Sequence, residues 1–338
     1  MGTEVGHTSC EVNLLINWEN VINMLALGIH GHMNRKQLIL VIGSFVTVII
    51  LILASSVLRN QDGDEDRTQV VATFYPLAYM AESIGGDRVS VSSMVPYNTE
   101  LHSWQPAPQD IIRADDADVI LYNGGPADHW LVDDVLPAVN DAGKVIVNTT
   151  LGVSYIAGGE EGGTDPHTWL SPGRAMVQAR NVYNALCEAD PEGEEYFAER
   201  FGALNATLAS LDEQYRSLNN ATVSGVIVSH SALGYVAYDY NFSQYGVIGL
   251  SADQEPTVAA IADLVEIMEN ESIYTVYVDP VYKRDYAQIL KQELESRTGQ
   301  EVSVLEMFLT LGPYEELDYL EQLSQNLINL RTGLGVPQ

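Results

Sequence analysis

An α/β fold of two Rossmann-like lobes, each on a mostly parallel sheet, is predicted by three observations. Strand-like and helix-like segments alternate from Gln69 to Val147. Two long helical patterns follow between Pro172 and Leu218, and the alternation resumes at Gly225 and runs towards the C-terminus. A repeated β-α rhythm implies parallel strands with helices on both faces. The 338 residues suffice for two cores of ordinary size.

In the first half, Gln69–Phe74 reads as a buried strand and Pro76–Ile84 as a helix closed by Gly85 and Gly86. Arg88–Val95 is a second strand, Pro108–Ala114 a short helix, Asp118–Tyr122 a third strand, Trp130–Asn140 a helix and Lys144–Val147 a fourth strand. A helix then starts at Pro172 with Ser171 as its cap, because proline is tolerated in a first helical turn. Met176, Val177, Val182, Leu186 and Cys187 recur on it at helical spacing, Pro191 interrupts, and Glu192–Leu218 resumes. These two helices mark the boundary between lobes. The second half gives strands at Gly225–Val228, Tyr245–Gly249, Tyr274–Val278 and Val302–Leu305. Helices fall at Ala232–Tyr240, Thr257–Met268, Tyr286–Ser296 and Tyr314–Leu330. Two such lobes in one chain imply a binding cleft between them.

Ahead of the lobes, Leu38–Leu58 is an apolar run of 21 residues with no charged side chain, long enough to cross a bilayer. Arg35 and Lys36 precede it, and Asp62, Asp64, Glu65 and Asp66 follow. The positive-inside rule then keeps the N-terminus in the cytoplasm and exports everything beyond. No cysteine stands directly after the run, so a lipid-anchored lipoprotein is not expected and an uncleaved membrane anchor is. Met33-Asn34-Arg35-Lys36 has the form of a translation start, which makes residues 1–32 an upstream extension. Five Asn-X-Ser/Thr sequons beyond the anchor are compatible with an extracytoplasmic location.

The formal net charge is −30. Seven of the acidic and four of the basic residues precede Thr68, so the exported part keeps about −27. Phosphate would be repelled, which excludes nucleic acid as a partner. Such a field favours cations without choosing among them, and it serves solubility or high-salt adaptation equally well. Only Cys10 and Cys187 are present, too few for a thiolate zinc cluster.

The histidines are more specific. His7, His30 and His32 precede the apolar run, leaving His102, His129, His167 and His230 in the exported part. His102 lies in the loop after the strand ending at Val95, and His167 in the loop before the Pro172 helix. His230 ends one strand and Asp279 another, and ligands in open α/β sheets sit outside such carboxyl ends. Three imidazoles and a carboxylate make a tetrahedral zinc set, whereas manganese and iron sites use more oxygen. Glu100, two residues before His102, is placed to orient that ring. Taken singly, each His reads more readily as a hydrogen-bonded loop or strand-end residue than as a ligand, and Asp279 before Pro280 as a turn residue.

From Val70 to about Gly335 the chain resembles the solute-binding proteins of zinc and manganese ABC importers, the TroA-like or cluster A-I family. The matching stretches include Ala72-Thr-Phe-Tyr-Pro-Leu77, Thr99-Glu-Leu-His-Ser103, Ala117-Asp-Val-Ile-Leu-Tyr-Asn-Gly124, Asp165-Pro-His-Thr-Trp-Leu-Ser-Pro172 and Ser229-His-Ser-Ala-Leu-Gly-Tyr235. The resemblance implies metal ligation by His102, His167, His230 and Asp279, with His230 in the zinc-type state where manganese-type members carry Glu. It also implies two lobes joined by a long rigid helix, at residues 172–190, between an N-terminal lobe at 68–171 and a C-terminal lobe at 191–338. Residues 33–67 are then anchor and acidic linker. Leu101 replaces the usual Pro, a His-rich loop is reduced to Gly158–Gly163, and His129 is no family ligand but a surface or cleft-rim residue.

The function implied is capture of Zn2+ outside the membrane by a monomer, and its delivery to the transmembrane permease of an ABC importer. Proton competition is expected to weaken binding in acid, with imidazoles near their ordinary pKa of about 6.5. Mn2+ or Fe2+ cargo is the alternative on the same fold. A zinc hydrolase would need an open coordination position and a general base, and no HExxH motif is present. A surface adhesin whose metal only stabilises the fold is the remaining reading.

Overall fold

The computed structural model describes residues 67–158, 163–248, 257–282 and 285–337. The apolar run 38–58 and the 1–32 segment lie outside these. Among the described residues no helix is long and apolar enough to cross a membrane.

In the first lobe β1 (Thr68–Ala72), β2 (Val89–Ser93), β3 (Val119–Tyr122) and β4 (Val145–Asn148) form one sheet in the order β2-β1-β3-β4. In the second, β5 (Gly225–His230), β6 (Ser243–Ile248), β7 (Thr275–Val278) and β8 (Ser303–Glu306) repeat that order as β6-β5-β7-β8. Every described strand pair is parallel. In both lobes the chain steps outward from its first strand and then crosses back to its third. The switch points therefore lie between β1 and β3 and between β5 and β7, where crevices open at the carboxyl ends.

The helices are α1 (Tyr75–Gly85), α2 (Pro108–Asp116), α3 (Pro172–Ala189), α4 (Glu194–Tyr215), α5 (Gly234–Tyr240), α6 (Val258–Glu271), α7 (Asp285–Thr298) and α8 (Tyr319–Gly333). β5 shows why parallel strands read as unbroken apolar runs. Val226 and Val228 face the larger core, which also takes in α1, α3, α4 and α8, while Ile227 between them faces a second core with α6 and α7. Both faces are covered, so both sets of side chains are apolar.

Some elements depart from expectation, each for a local reason. The segment expected as a helix over Trp130–Asn140 is a π turn at Leu131–Val135 followed by a 3-10 turn at Leu136–Ala138. Pro137 has no N–H to continue an α ladder. The last helix begins at Tyr319 rather than Tyr314, because Asp318 and Glu321 form a capping box: Asp318 Oδ1 accepts from the Glu321 N–H at 2.9 Å, and Glu321 Oε2 from the Asp318 N–H at 2.9 Å. Pro172 opens α3 as expected, but the Ser171 hydroxyl makes no cap. It donates instead to Asp239 at 2.7 Å, in the second lobe.

Candidate metal centre

His167 is the most heavily positioned of the expected ligands. Upstream, the fully buried Asp128 accepts from the Thr73 hydroxyl (2.7 Å) and from the backbone N–H groups of Asn123 (2.6 Å) and Gly124 (2.9 Å). Burial pushes the Asp128 carboxyl up, and these donors pull it back. Asn123, fixed in this way, donates to the Pro166 carbonyl at 2.9 Å and so sets the loop that carries His167. Asp165 then grips His167 twice through Oδ1, accepting from its backbone N–H at 2.9 Å and its ring Nδ1 at 2.8 Å. A carboxylate partner assigns the proton to Nδ1 and leaves the Nε2 lone pair pointing away, towards the ring of His102.

The His102 and His167 Nε2 atoms stand 3.1 Å apart. His230, the last residue of β5, brings the third ring, with centroids 5.4 Å from His167 and 6.3 Å from His102. One ligating nitrogen from each of the three lies within 4.8 Å of the others. Around a tetrahedral zinc with Zn–N of about 2.0–2.1 Å the nitrogens would stand roughly 3.3 Å apart, close to the 3.1 Å between His102 and His167. His230 also holds a buried ring nitrogen, Nδ1, with no hydrogen-bond partner among the described residues. Burial, with a contribution from the neighbouring His167, lowers the His102 pKa to about 3 and pushes His230 well below the ordinary imidazole range. The His102 and His230 rings are therefore neutral electron-pair donors at neutral pH, the state a cation requires.

That finding corrects the expected pH dependence. Proton competition at His102 and His230 sets in well below pH 6.5, because a charged imidazole loses its hydration in this cavity.

The carboxylates are placed as follows. Asp279, directly after β7, is buried, with Oδ1 accepting from the Val281 N–H at 2.7 Å and Oδ2 from the Leu309 N–H at 2.6 Å. The group gathered within 4.8 Å is the three imidazoles, without it. Glu100 does not hold the His102 ring as expected: its Oε1 accepts from the His102 backbone N–H at 2.9 Å, and its Oε2 from the Tyr282 hydroxyl. His129 is exposed, with Nδ1 3.3 Å from the Pro126 carbonyl, on the loop after β3.

Three contributors escaped sequence reasoning. Asp165 had a usable signal, since it stands two residues before His167. Trp169 forms a wall of the cavity, its indole N–H donating to the Leu309 carbonyl at 3.0 Å and its ring packing on Phe74 and His167. Tyr282 reaches the site from the turn after β7, and nothing local marks it.

With the geometry in place, the relatives are informative. The family model for ZnuA, "Zinc-uptake complex component A periplasmic", matches residues 70–333. The chain belongs to this family. It is 30% identical over 296 residues to the high-affinity zinc uptake system protein ZnuA of Bacillus subtilis, covering 83% of this chain and 92% of that one. It is 27% identical over 289 residues to the zinc-binding lipoprotein AdcA of Streptococcus pneumoniae, of which it spans 57%. Among solved structures, the Zn(II)-bound ZnuA-like domain of that AdcA superposes with a TM-score of 0.68 at 27% identity, over 79% of this chain and 99% of the domain. The metal-dependent lipoprotein YcdH of Bacillus subtilis gives 0.69 at 29% identity, with the same coverage. Like these ZnuA-family relatives, the chain is a two-lobed α/β protein, and its long helix α3 runs over Pro172–Ala189.

Proposed function

We propose that this protein captures zinc outside the cytoplasmic membrane and delivers it to the permease of an ABC importer. The observation that carries the reading is the gathering of His102, His167 and His230, from three separate loops and strand ends, within 4.8 Å. Relatives bearing zinc-uptake names and a Zn(II)-bound structure at 27% identity support it. His102, His167 and His230 supply neutral nitrogens, and Asp279 supplies the anionic oxygen that completes a tetrahedral set and offsets part of the ion's charge. Three nitrogens with one oxygen suit zinc over manganese, which takes oxygen-rich shells.

The work of the protein in this reading is binding and handover, without covalent chemistry. Asp165 presents the Nε2 face of His167, the His102 and His230 rings wait deprotonated, and the ion trades its water shell for side chains. The chain acts as a monomer held at the membrane by residues 38–58, with residues 68–171 and 191–338 as lobes around the 172–190 helix. The test is metal content by mass spectrometry after purification without chelators. About one zinc per chain is expected, and essentially none for His230→Ala. A competition titration in which manganese displaces zinc at equal concentration would overturn the cargo assignment.

A further inference from the structure

Nine residues line the cavity at the three histidines, and six of them are buried. The other three, Glu100, His102 and Tyr282, are half-exposed, so the cavity meets solvent where they stand. Glu100 belongs to the loop after β2 in the first lobe. Tyr282 belongs to the turn after β7 in the second, closed by a hydrogen bond from its own N–H to the Asp279 carbonyl at 3.2 Å. The Tyr282 hydroxyl donates to Glu100 Oε2 across this opening, while Oε1 of the same carboxylate holds the His102 backbone. The Tyr282 ring stands edge-on to His230, with centroids 5.9 Å apart.

One carboxylate thus ties a metal-site histidine of the first lobe to an aromatic cover from the second. We propose that Tyr282 is the latch of the cleft, a positioning residue whose bond to Glu100 must break before an ion enters or leaves. The inference rests on the zinc-site reading above and adds to it a residue that sets the exchange rate. A hydroxyl donating to a carboxylate is among the stronger neutral-to-ion bonds, and at a partly dried mouth it is stronger than in water. An ion leaving the histidines regains water as it goes, so the closed latch resists departure more than it adds to holding the bound ion.

The experiment uses the full chain loaded with one equivalent of zinc and mixed rapidly with excess chromophoric chelator. Tyr282→Phe is expected to load one zinc per chain and to release it about tenfold faster, the loss of one charge-assisted hydrogen bond. In a Glu100→Ala background, adding Tyr282→Phe is expected to change the rate by less than about twofold, since both substitutions remove the same bond. The zinc-free melting midpoint of Tyr282→Phe should stay within about 2 °C of wild type, which separates a latch from general stabilisation. Normal loading with an unchanged release rate overturns the latch and leaves the site reading intact. The same fold-change in both backgrounds also overturns it, placing any effect in ring packing on His230. A wild-type chain that holds no zinc overturns both.

Discussion

Asp165 shows how much a proposed ligand depends on a residue outside the proposed ligand set. Its single oxygen fixes both the backbone and the ring of His167, and with them the tautomer. Asp165→Asn keeps the shape but removes the charge and presents an amide that fits poorly opposite Nδ1–H. Zinc affinity is expected to fall about 10–100-fold, measured by competition with a chelator of known affinity. A change below threefold would show that His167 is oriented by its surroundings alone. Protonation is the second matter at this scale. His102 and His230 have folded pKa values below that of a free imidazole, so below pH 6.5 the unfolded chain binds the extra protons. The zinc-free protein should therefore be fully stable above about pH 6.5 and lose stability as pH falls from there towards about 3. The slope is at most roughly 1.4 kcal/mol per pH unit for each ring, read from urea melts at a series of pH values. Melts that stay flat between pH 7 and pH 5 would show that the rings take up protons in the fold as readily as in the unfolded chain.

Between elements, the N-terminus of α3 is bolted to α5. Arg174 makes a two-pronged bond to Asp239, with Nε–Oδ2 and Nη2–Oδ1 both at 2.8 Å, and its guanidinium lies 4.3 Å over the Tyr235 ring. Ser171 donates to the same carboxylate, and the Tyr235 hydroxyl to the Asp165 carbonyl at 2.7 Å. The helix start can lie this close to the ligand loop only because residue 234 is glycine: a Cβ there would stand 2.1 Å from Asp165 Oδ2. Asp239→Ala strands a largely buried guanidinium and the Ser171 hydroxyl together. It is expected to cost about 2–4 kcal/mol in urea unfolding, whereas a loss under about 1 kcal/mol would mean that water replaces the pair.

For the molecule as a whole, the proposed set of ligands from both lobes would couple binding to stability. An ion that binds only the folded chain stabilises it by mass action, by roughly 4 kcal/mol at a thousandfold excess over Kd. For a unit of this size that corresponds to a rise of about 10 °C in the melting midpoint. His230→Ala should melt at the same temperature with and without zinc. An equal rise in that variant would place the ion elsewhere. Two sheets with the same strand order give the lobes matching crevices, and the C-terminal segment stitches them together. Leu309 donates to Asp279, Trp169 to the Leu309 carbonyl, and Tyr319 to the Trp169 carbonyl at 2.5 Å.

The alternation of apolar runs and amphipathic helices by itself determined the two α/β lobes, because strands covered on both faces must be apolar throughout and surface helices must be striped. Strand ends then marked His230 and Asp279, since parallel sheets present their ligands at one edge, and proline at position 172 marked the start of α3. Only the tertiary structure decided the rest. Glu100 could be named as a neighbour of His102, but its grip on the backbone and on Tyr282 depends on a contact 182 positions away in the chain. Asp318 starts the last helix at Tyr319, through a cap whose worth depends on what packs around it. The depressed pKa values of His102 and His230 are a property of burial, and burial is a sum over residues distant in sequence. Local pattern records which way a side chain points along its own element; which groups it then meets depends on how the two lobes pack, and that is where the chemistry of this site arises.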